Sequence, residues 1–311
     1  MSTSLADPLT AGEVDDARRR IAGAALRTPL VSGANGFLKL ECLQPSGSYK
    51  IRGATNVLRA RLEQGGRIER IVTASAGNFG QALVAAARDS GLPVTIHVPD
   101  HAARVKVEAL KAMGAEVREH DFAGWWRIME TRDCGEEGGT FFHPVCEREV
   151  IAGAATIGAE IVEDLPGVEA VLVPIGGGGL ASGIAQAVKL ARPACRILAV
   201  ETDTCTPLKA ALAAGAPVTV ERNATFVDGM GSTRVLDAMW PLLERLIDDV
   251  VVVTIAEVEE AIRMLAGRHH VIAEGAGAAA AAAAAKAGIP NSVAIVSGGN
   301  IDRAELVRIL G

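Results

Sequence analysis

The sequence predicts an α/β fold built on parallel sheet, and three observations carry that prediction. Short apolar runs alternate with helix-patterned stretches at close spacing, the order expected of βαβ units. Several of the apolar runs end in Gly- or Ser-rich segments, where ligand loops of such sheets lie. Glycine is abundant, at 34 of 311 residues, while aromatics make up 3%, which suits closely packed layers and backbone-lined sites. The length accommodates two compact lobes or one large domain.

The elements follow in order. Thr10-Ala-Gly-Glu13 has the form of a capping box and opens a helix through Ile21. Phe37–Glu41 reads as a short strand, broken by Gln44-Pro-Ser-Gly-Ser48, and a helix is expected over 51–62. Ile71-Val-Thr73 is a strand ending in Ala-Ser-Ala-Gly-Asn78, with a helix over 81–88. Val94–Val98 is the next strand, stopped by Pro99, and a helix over 103–113 ends at Gly114. Another strand starts at Ala115. In the second half, Ala170–Pro174 is a buried strand that runs into four glycines and a helix. Strands over 196–200 and 250–253 precede a helix over 255–265 capped by Thr254. Ala278–Ala285 reads as a helix packed tightly on its neighbours. Val293–Val296 is the last strand and leads to Ser-Gly-Gly-Asn300.

Composition excludes some function classes. The net charge of −6, with no basic block, argues against a nucleic-acid partner. No apolar run is long enough for a membrane span. The five cysteines are odd in number and form no C-x-x-C pair, and the start Met1-Ser-Thr-Ser-Leu-Ala-Asp7 has no signal-peptide form. A soluble cytoplasmic protein with reduced thiols is expected.

Four segments carry the chemistry: Ser46-Gly-Ser-Tyr-Lys50, Ser75-Ala-Gly-Asn-Phe79, Gly176–Gly179 and Ser297-Gly-Gly-Asn300. Consecutive glycines between strand and helix expose backbone N–H groups beside a positive helix end, a setting for phosphate. A dinucleotide is one candidate, since Gly177, Gly179 and Gly183 resemble a Rossmann fingerprint and Glu201 ends the next strand. A P-loop is excluded because no Gly-Lys-Ser/Thr follows. Lys50, among small residues at a loop-to-helix junction, suggests instead an amine held for Schiff-base chemistry, with Arg52 close in sequence.

Together, Ser48-Tyr-Lys50-Ile-Arg-Gly-Ala54, Ser75-Ala-Gly-Asn78-Phe-Gly-Gln81, Gly176–Gly179 and Ser297–Asn300 resemble the serine/threonine dehydratase branch of the fold-type-II pyridoxal-phosphate (PLP) enzymes, the tryptophan-synthase-β superfamily. The resemblance runs from about Leu38 to Asp302. It implies two lobes, each a mostly parallel twisted sheet flanked by helices. Residues 1–69 and 147–311 would form the large PLP-binding lobe and 70–146 a small mobile one. Lys50 would bear the cofactor, Tyr49 pack on its ring, Asn78 bond the 3′-oxygen, Gly176, Gly177, Gly178 and Gly179 hold the phosphate, and Ser297 meet the pyridine nitrogen. A neutral hydroxyl there does not enforce ring protonation, which favours rapid loss of a β-leaving group. Ser75, Ala76, Gly77 and Phe79 would form the substrate-carboxylate loop, with Arg127, Gly229 and Glu274 as further substrate contacts. The implied partners are a small amino-acid substrate and a second copy of the chain in a homodimer.

The resemblance implies dehydration of L-threonine, L-serine or a close β-hydroxy amino acid to a 2-oxo acid and ammonia. Ile-Arg-Gly-Ala after Lys50 differs from the Asp-Arg usual in β-replacement enzymes such as cysteine synthase, the alternative within PLP chemistry. Ala76 stands where serine racemases carry an acid/base serine, and alanine cannot exchange a proton. Phe79 replaces a common histidine, and Ala154 a usual glutamine. Glu201 matches one acid of a cation site found in relatives, but Pro207 stands in place of the other, so no metal is expected. Arg234 is a candidate for a second substrate carboxylate, against a plain surface role. The Trp125-Trp126 pair is read as lobe packing, and His269-His270 as structural. A nicotinamide oxidoreductase is the rival outside PLP chemistry.

Overall fold

The computed structural model describes residues 4–33, 35–102, 104–135 and 138–311. The first three residues of the expected leaderless start, and Ala103 at the head of an expected helix, lie outside them. The strands are β1 (Leu30–Gly33), β2 (Gly36–Lys39), β3 (Arg70–Ala74), β4 (Val94–Pro99), β5 (Glu116–His120), β6 (Gly139–Phe141), β7 (Ala170–Pro174), β8 (Arg196–Thr202), β9 (Asp249–Val253) and β10 (Ser292–Ile295). The first six helices are α1 (Ala11–Ile21), α2 (Lys50–Glu63), α3 (Asn78–Ala87), α4 (Arg104–Ala112), α5 (Phe122–Thr131) and α6 (Arg148–Asp164). They are followed by α7 (Gly179–Ala191), α8 (Pro207–Ala214), α9 (Trp240–Leu246), α10 (Ile255–His269), α11 (Gly275–Ala287) and α12 (Arg303–Leu310).

Two sheets result. A six-stranded sheet has the order β1-β2-β10-β7-β8-β9, parallel except for the β1–β2 hairpin. A four-stranded sheet, β5-β4-β3-β6, is parallel throughout. The strands of the larger sheet are apolar on both faces because both faces are covered. Val171, Val173, Ile197 and Ala199 join the core under α6, α7 and α9. Their alternating neighbours Ala170, Leu172, Leu198 and Val200 join the core under α10 and α11. The alanine run of α11 is buried almost all round, and its short side chains let the helix lie close on β7 and β10.

Local differences from the sequence reading have local causes. The strand expected over 37–41 stops at Lys39, since Glu41 opens a 3-10 turn and its carboxylate faces Arg52. The helix expected from Gln81 begins at Asn78, directly after the loop glycine. Thr10 and Thr254 both form the full capping box. Although α2 lies within the segment expected in the large lobe, its Ile51, Ala54, Val57 and Leu58 belong to the core of the four-stranded sheet.

What fixes α2 is charge. Arg52, fully buried, donates to both carboxylate oxygens of Glu41 at 2.8 Å and to Glu160 at 2.6 and 3.0 Å. Lys39, equally buried, donates to Glu160 at 2.6 Å and to the Thr28 carbonyl at 2.7 Å. Thr28 Oγ1 and Gln44 Nε2 donate to the same two oxygens of Glu41. Two cations and two carboxylates therefore balance in a dry interior, and Arg52 points away from Lys50 into this cluster. A buried pair that loses one partner leaves an uncompensated charge, at a cost of about 3–5 kcal/mol. Glu41→Leu is expected to lower unfolding free energy by roughly that amount, read as a reduced denaturant midpoint.

Candidate active site

The four sequence segments meet in one cavity of about 530 Å3 between the two sheets. Three of them are loops at carboxyl ends of parallel strands, as an open α/β sheet requires: residues 75–79 after β3, 176–179 after β7, and 297–300 after β10. The fourth, Ser46–Lys50, is laced to the last. Tyr49 N donates to Ser297 O at 3.0 Å, Gly299 N to Gly47 O at 2.8 Å, and Asn300 Nδ2 to Ser46 O at 3.0 Å. Gly47 takes a φ of +74°, and any side chain on it would run into Asn300. A larger groove of about 700 Å3 lies between β2, α10 and α11 but holds none of these motifs, so size does not select the site.

Lys50 opens α2 and is half-buried in the cavity. Its Nζ donates to the Pro144 carbonyl at 3.3 Å and lies 5.0 Å from the Tyr49 ring centroid and 5.8 Å from that of Phe79. Gly178 caps α7 in the left-handed region, with a φ of +92°. A Cβ on Gly176 would meet Gly229 O at 2.5 Å, and one on Gly177 would meet Val145 Cγ2 at 2.5 Å. Glycines are thus needed here both for packing and to leave the N–H groups bare at the positive end of a helix of 13 residues. A phosphate fits that cradle, and an aldehyde-bearing ring fits between it and the amine of Lys50.

Asn78 stands at the first turn of α3. Its Nδ2 donates to Glu274 Oε1 at 2.7 Å, and its Oδ1 accepts from Asn300 Nδ2 at 2.8 Å. Burial pushes the Glu274 carboxyl up from its ordinary pKa, opposed by the Asn78 hydrogen bond and the nearby Lys106 ammonium. Ser297 is buried, with Oγ 3.5 Å from the Ala276 carbonyl. Ser75, Ala76, Gly77, Phe79 and Gly229 also line the cavity, with the 75–79 backbone at the N-terminus of α3.

Arg127 is a correction: it does not line the cavity. Trp125 does, and Ile128 is buried beside it, whereas Arg127, about 200° round the helix from Trp125, is exposed. Arg234 also lies elsewhere, donating to the Pro217 carbonyl and to Asp237. Glu201 is engaged by a helix end, accepting from the backbone N–H of Leu208 and Lys209 at 2.7 and 3.0 Å. An acid at the end of β8 is thus accounted for without a ribose. Among the described residues, no cluster of three or more His, Cys, Asp or Glu is arranged to hold a metal.

Sequence reasoning missed Lys106 and His143, and named Asn300 in its motif without giving it a role. His143 is buried, and its Nδ1 accepts from the backbone N–H of Val145 at 3.0 Å and Cys146 at 2.8 Å. It thereby shapes the Pro144–Val145 wall against Lys50. No local pattern marks such a residue. Only the adjacency of Pro144 to the cavity gives it meaning.

The profile of the pyridoxal-phosphate dependent enzymes matches residues 21–298. The chain is 37% identical to the L-threonine ammonia-lyase of Thermotoga maritima, over 97% of this chain and 78% of that protein. It is 34% identical to the catabolic L-threonine dehydratase of Staphylococcus aureus, over 96% of this chain and 90% of that one. In structure it resembles maize serine racemase, with a TM-score of 0.89 and 32% identity over 97% of both chains. It also resembles the threonine deaminase of T.th., with a TM-score of 0.86 and 30% identity over 94% of this chain and 99% of that one.

Burial and the positive charges of Arg132 and Lys50 hold His143 down to about 4 from an ordinary 6.5. As pH falls below 6.5 the unfolded chain takes up this proton first, so stability present above that value is lost as pH falls toward 4. The thermal midpoint is expected to drop between pH 7 and pH 5, less steeply in His143→Gln. His97, which burial also holds near 4, supplies the remaining slope.

Proposed function

We propose, proceeding from the fact that the chain belongs to the pyridoxal-phosphate dependent enzymes, that it removes water and then ammonia from a small L-β-hydroxy amino acid, threonine or serine, to give a 2-oxo acid. The observation that carries this reading is the convergence of the Lys50 amine, the bare N–H groups of Gly176–Gly179 and the Asn78 amide on one cavity. Its relatives named as threonine ammonia-lyase and threonine dehydratase support the choice of elimination.

In this reading Gly176–Gly179 would hold the phosphate, Asn78 the ring 3′-oxygen and Ser297 the ring nitrogen, Tyr49 would pack on the ring, and Lys50 would hold the aldehyde carbon. Bound there, the cofactor withdraws electrons from the substrate Cα. The free amine of Lys50 would take the Cα proton. The N–H groups of residues 75–79, at the positive end of α3, orient the α-carboxylate. The β-hydroxyl takes up a proton and leaves as water, and a second water hydrolyses the freed enamine to the 2-oxo acid and ammonia. Ala76, also in the cavity, carries no exchangeable proton, so racemisation is not expected despite the likeness to serine racemase. Residues 70–146 act in this scheme as the lobe that shuts out water, and the working species is a cytoplasmic homodimer.

Incubation with a panel of β-substituted amino acids is expected to release 2-oxo acid from threonine or serine. Turnover that instead requires an added nucleophile would point to β-replacement. Lys50→Ala is expected to fold, to lose borohydride-reducible visible absorbance, and to lose activity. In Gly176→Ala the new Cβ meets the Gly229 carbonyl, and cofactor affinity is expected to fall about tenfold or more, read by titration of the visible band.

A further inference from the structure

The cavity wall is shared between the two sheets. Residues 75–79, Pro99, Lys106 and Trp125 come from the side of the four-stranded sheet, while residues 176–180, Asp228, Gly229, Glu274 and Ser297 come from the other. Deep in the cavity the sides are joined by the Asn78–Glu274 and Asn78–Asn300 hydrogen bonds. Before α6, Arg132 donates to Glu147 and to the Cys146 carbonyl. At the mouth a third link stands by itself. Lys106 of α4 forms an ion pair with Asp228, which lies beside Gly229 on the opposite rim. Among the described residues it is the ion pair whose two members both line the cavity and lie on opposite lobes.

We propose that Lys106 and Asp228 are positioning residues that hold the small lobe shut over the bound amino acid. They act by a charge pair that must break each time substrate enters or product leaves. The placement supports this in three ways. The Lys106 side chain is 26% exposed and that of Asp228 52%, so the pair sits where the cavity meets solvent. Glu274 and Asp302 also favour the Lys106 ammonium, partly offsetting the burial that lowers its pKa. Lys106 is one residue from Val107, which with Leu110 packs in the core of the four-stranded sheet. A pull on Lys106 is therefore transmitted to the sheet whose β3 loop carries Ser75–Phe79. Asp228 adjoins Gly229, whose carbonyl lies against Gly176. The pair thus links the substrate-carboxylate loop to the phosphate cradle, an assignment of roles that rests on the reading of the cavity given above.

The test uses the cofactor-loaded enzyme and hydrogen exchange followed by mass spectrometry, which needs no substrate. Lys106→Asp and Asp228→Lys are expected to speed exchange in the peptides covering 75–87, 104–112 and 222–234 by about fivefold, the scale of a half-buried ion pair. The double variant, with the charges swapped, is expected to return those rates to within about twofold of the parent. The value of kcat/KM for the amino acid turned over should follow the same pattern. If a reversal destabilises the fold, Lys106→Met and Asp228→Asn replace it. Added salt should then speed exchange in the parent and not in these neutral variants. Unchanged exchange in the single variants, or a swap that does not restore it, overturns the latch. A swap that restores exchange but not kcat/KM means that Lys106 or Asp228 touches substrate directly, and overturns the positioning role. Absence of turnover with any β-hydroxy amino acid, alongside the expected exchange pattern, would refute the proposed reaction and leave the latch standing.

Discussion

The buried charge cluster of Arg52, Lys39, Glu41 and Glu160 is the constraint on which the rest of the site depends. Lys50 can serve as an amine in the cavity only if α2 begins at a fixed place and angle. α2 is held by a guanidinium two residues further on, which grips β2's neighbour Glu41 and α6's Glu160 together. Such a cluster is costly to desolvate and is a poor source of stability. What it provides is uniqueness: no other seating of α2 satisfies two buried cations and two buried carboxylates at once.

Around that anchor, the cavity is assembled by backbone rather than by large side chains. The Ser46–Tyr49 and Ser297–Asn300 segments bond each other directly, so residues about 250 positions apart in sequence form one wall. The glycine run packs against Gly229, Val145 and Leu243 with no room for a Cβ at its first three positions. This explains the composition. With few aromatic rings, the chain builds a ligand site from N–H groups, and small residues let helices approach the sheets closely enough to aim those groups inward.

The polar network around Asn78 follows the same logic. One amide reads a carboxyl on its nitrogen side and a second amide on its oxygen side, leaving its orientation settled before any ligand arrives. Glu274, raised by burial, belongs to this network and also to the N-terminus of α11, where its backbone N–H donates to the Gly298 carbonyl. Lys106 and Asp228 differ in kind. They are more exposed and couple surfaces that belong to different hydrophobic cores.

The sequence by itself determined the alternation of strand and helix, the glycine run between β7 and α7, the place of Lys50 at the start of α2 and the order of the loops. Each of these is written in contiguous residues, through propensity, turn chemistry or a run of bare amides. Tertiary structure decided what contiguous residues cannot encode. Arg52 is close to Lys50 in sequence yet serves a different cluster. Arg127 looked like a substrate contact until the phase of α5 turned Trp125 inward in its place. Glu201, in the position of a ribose or cation ligand, commits its oxygens to the start of α8. The lacing of 46–49 to 297–300, the His143 brace behind Lys50 and the Lys106–Asp228 pair all depend on proximity created by sheet order and helix phase, which no local pattern carries.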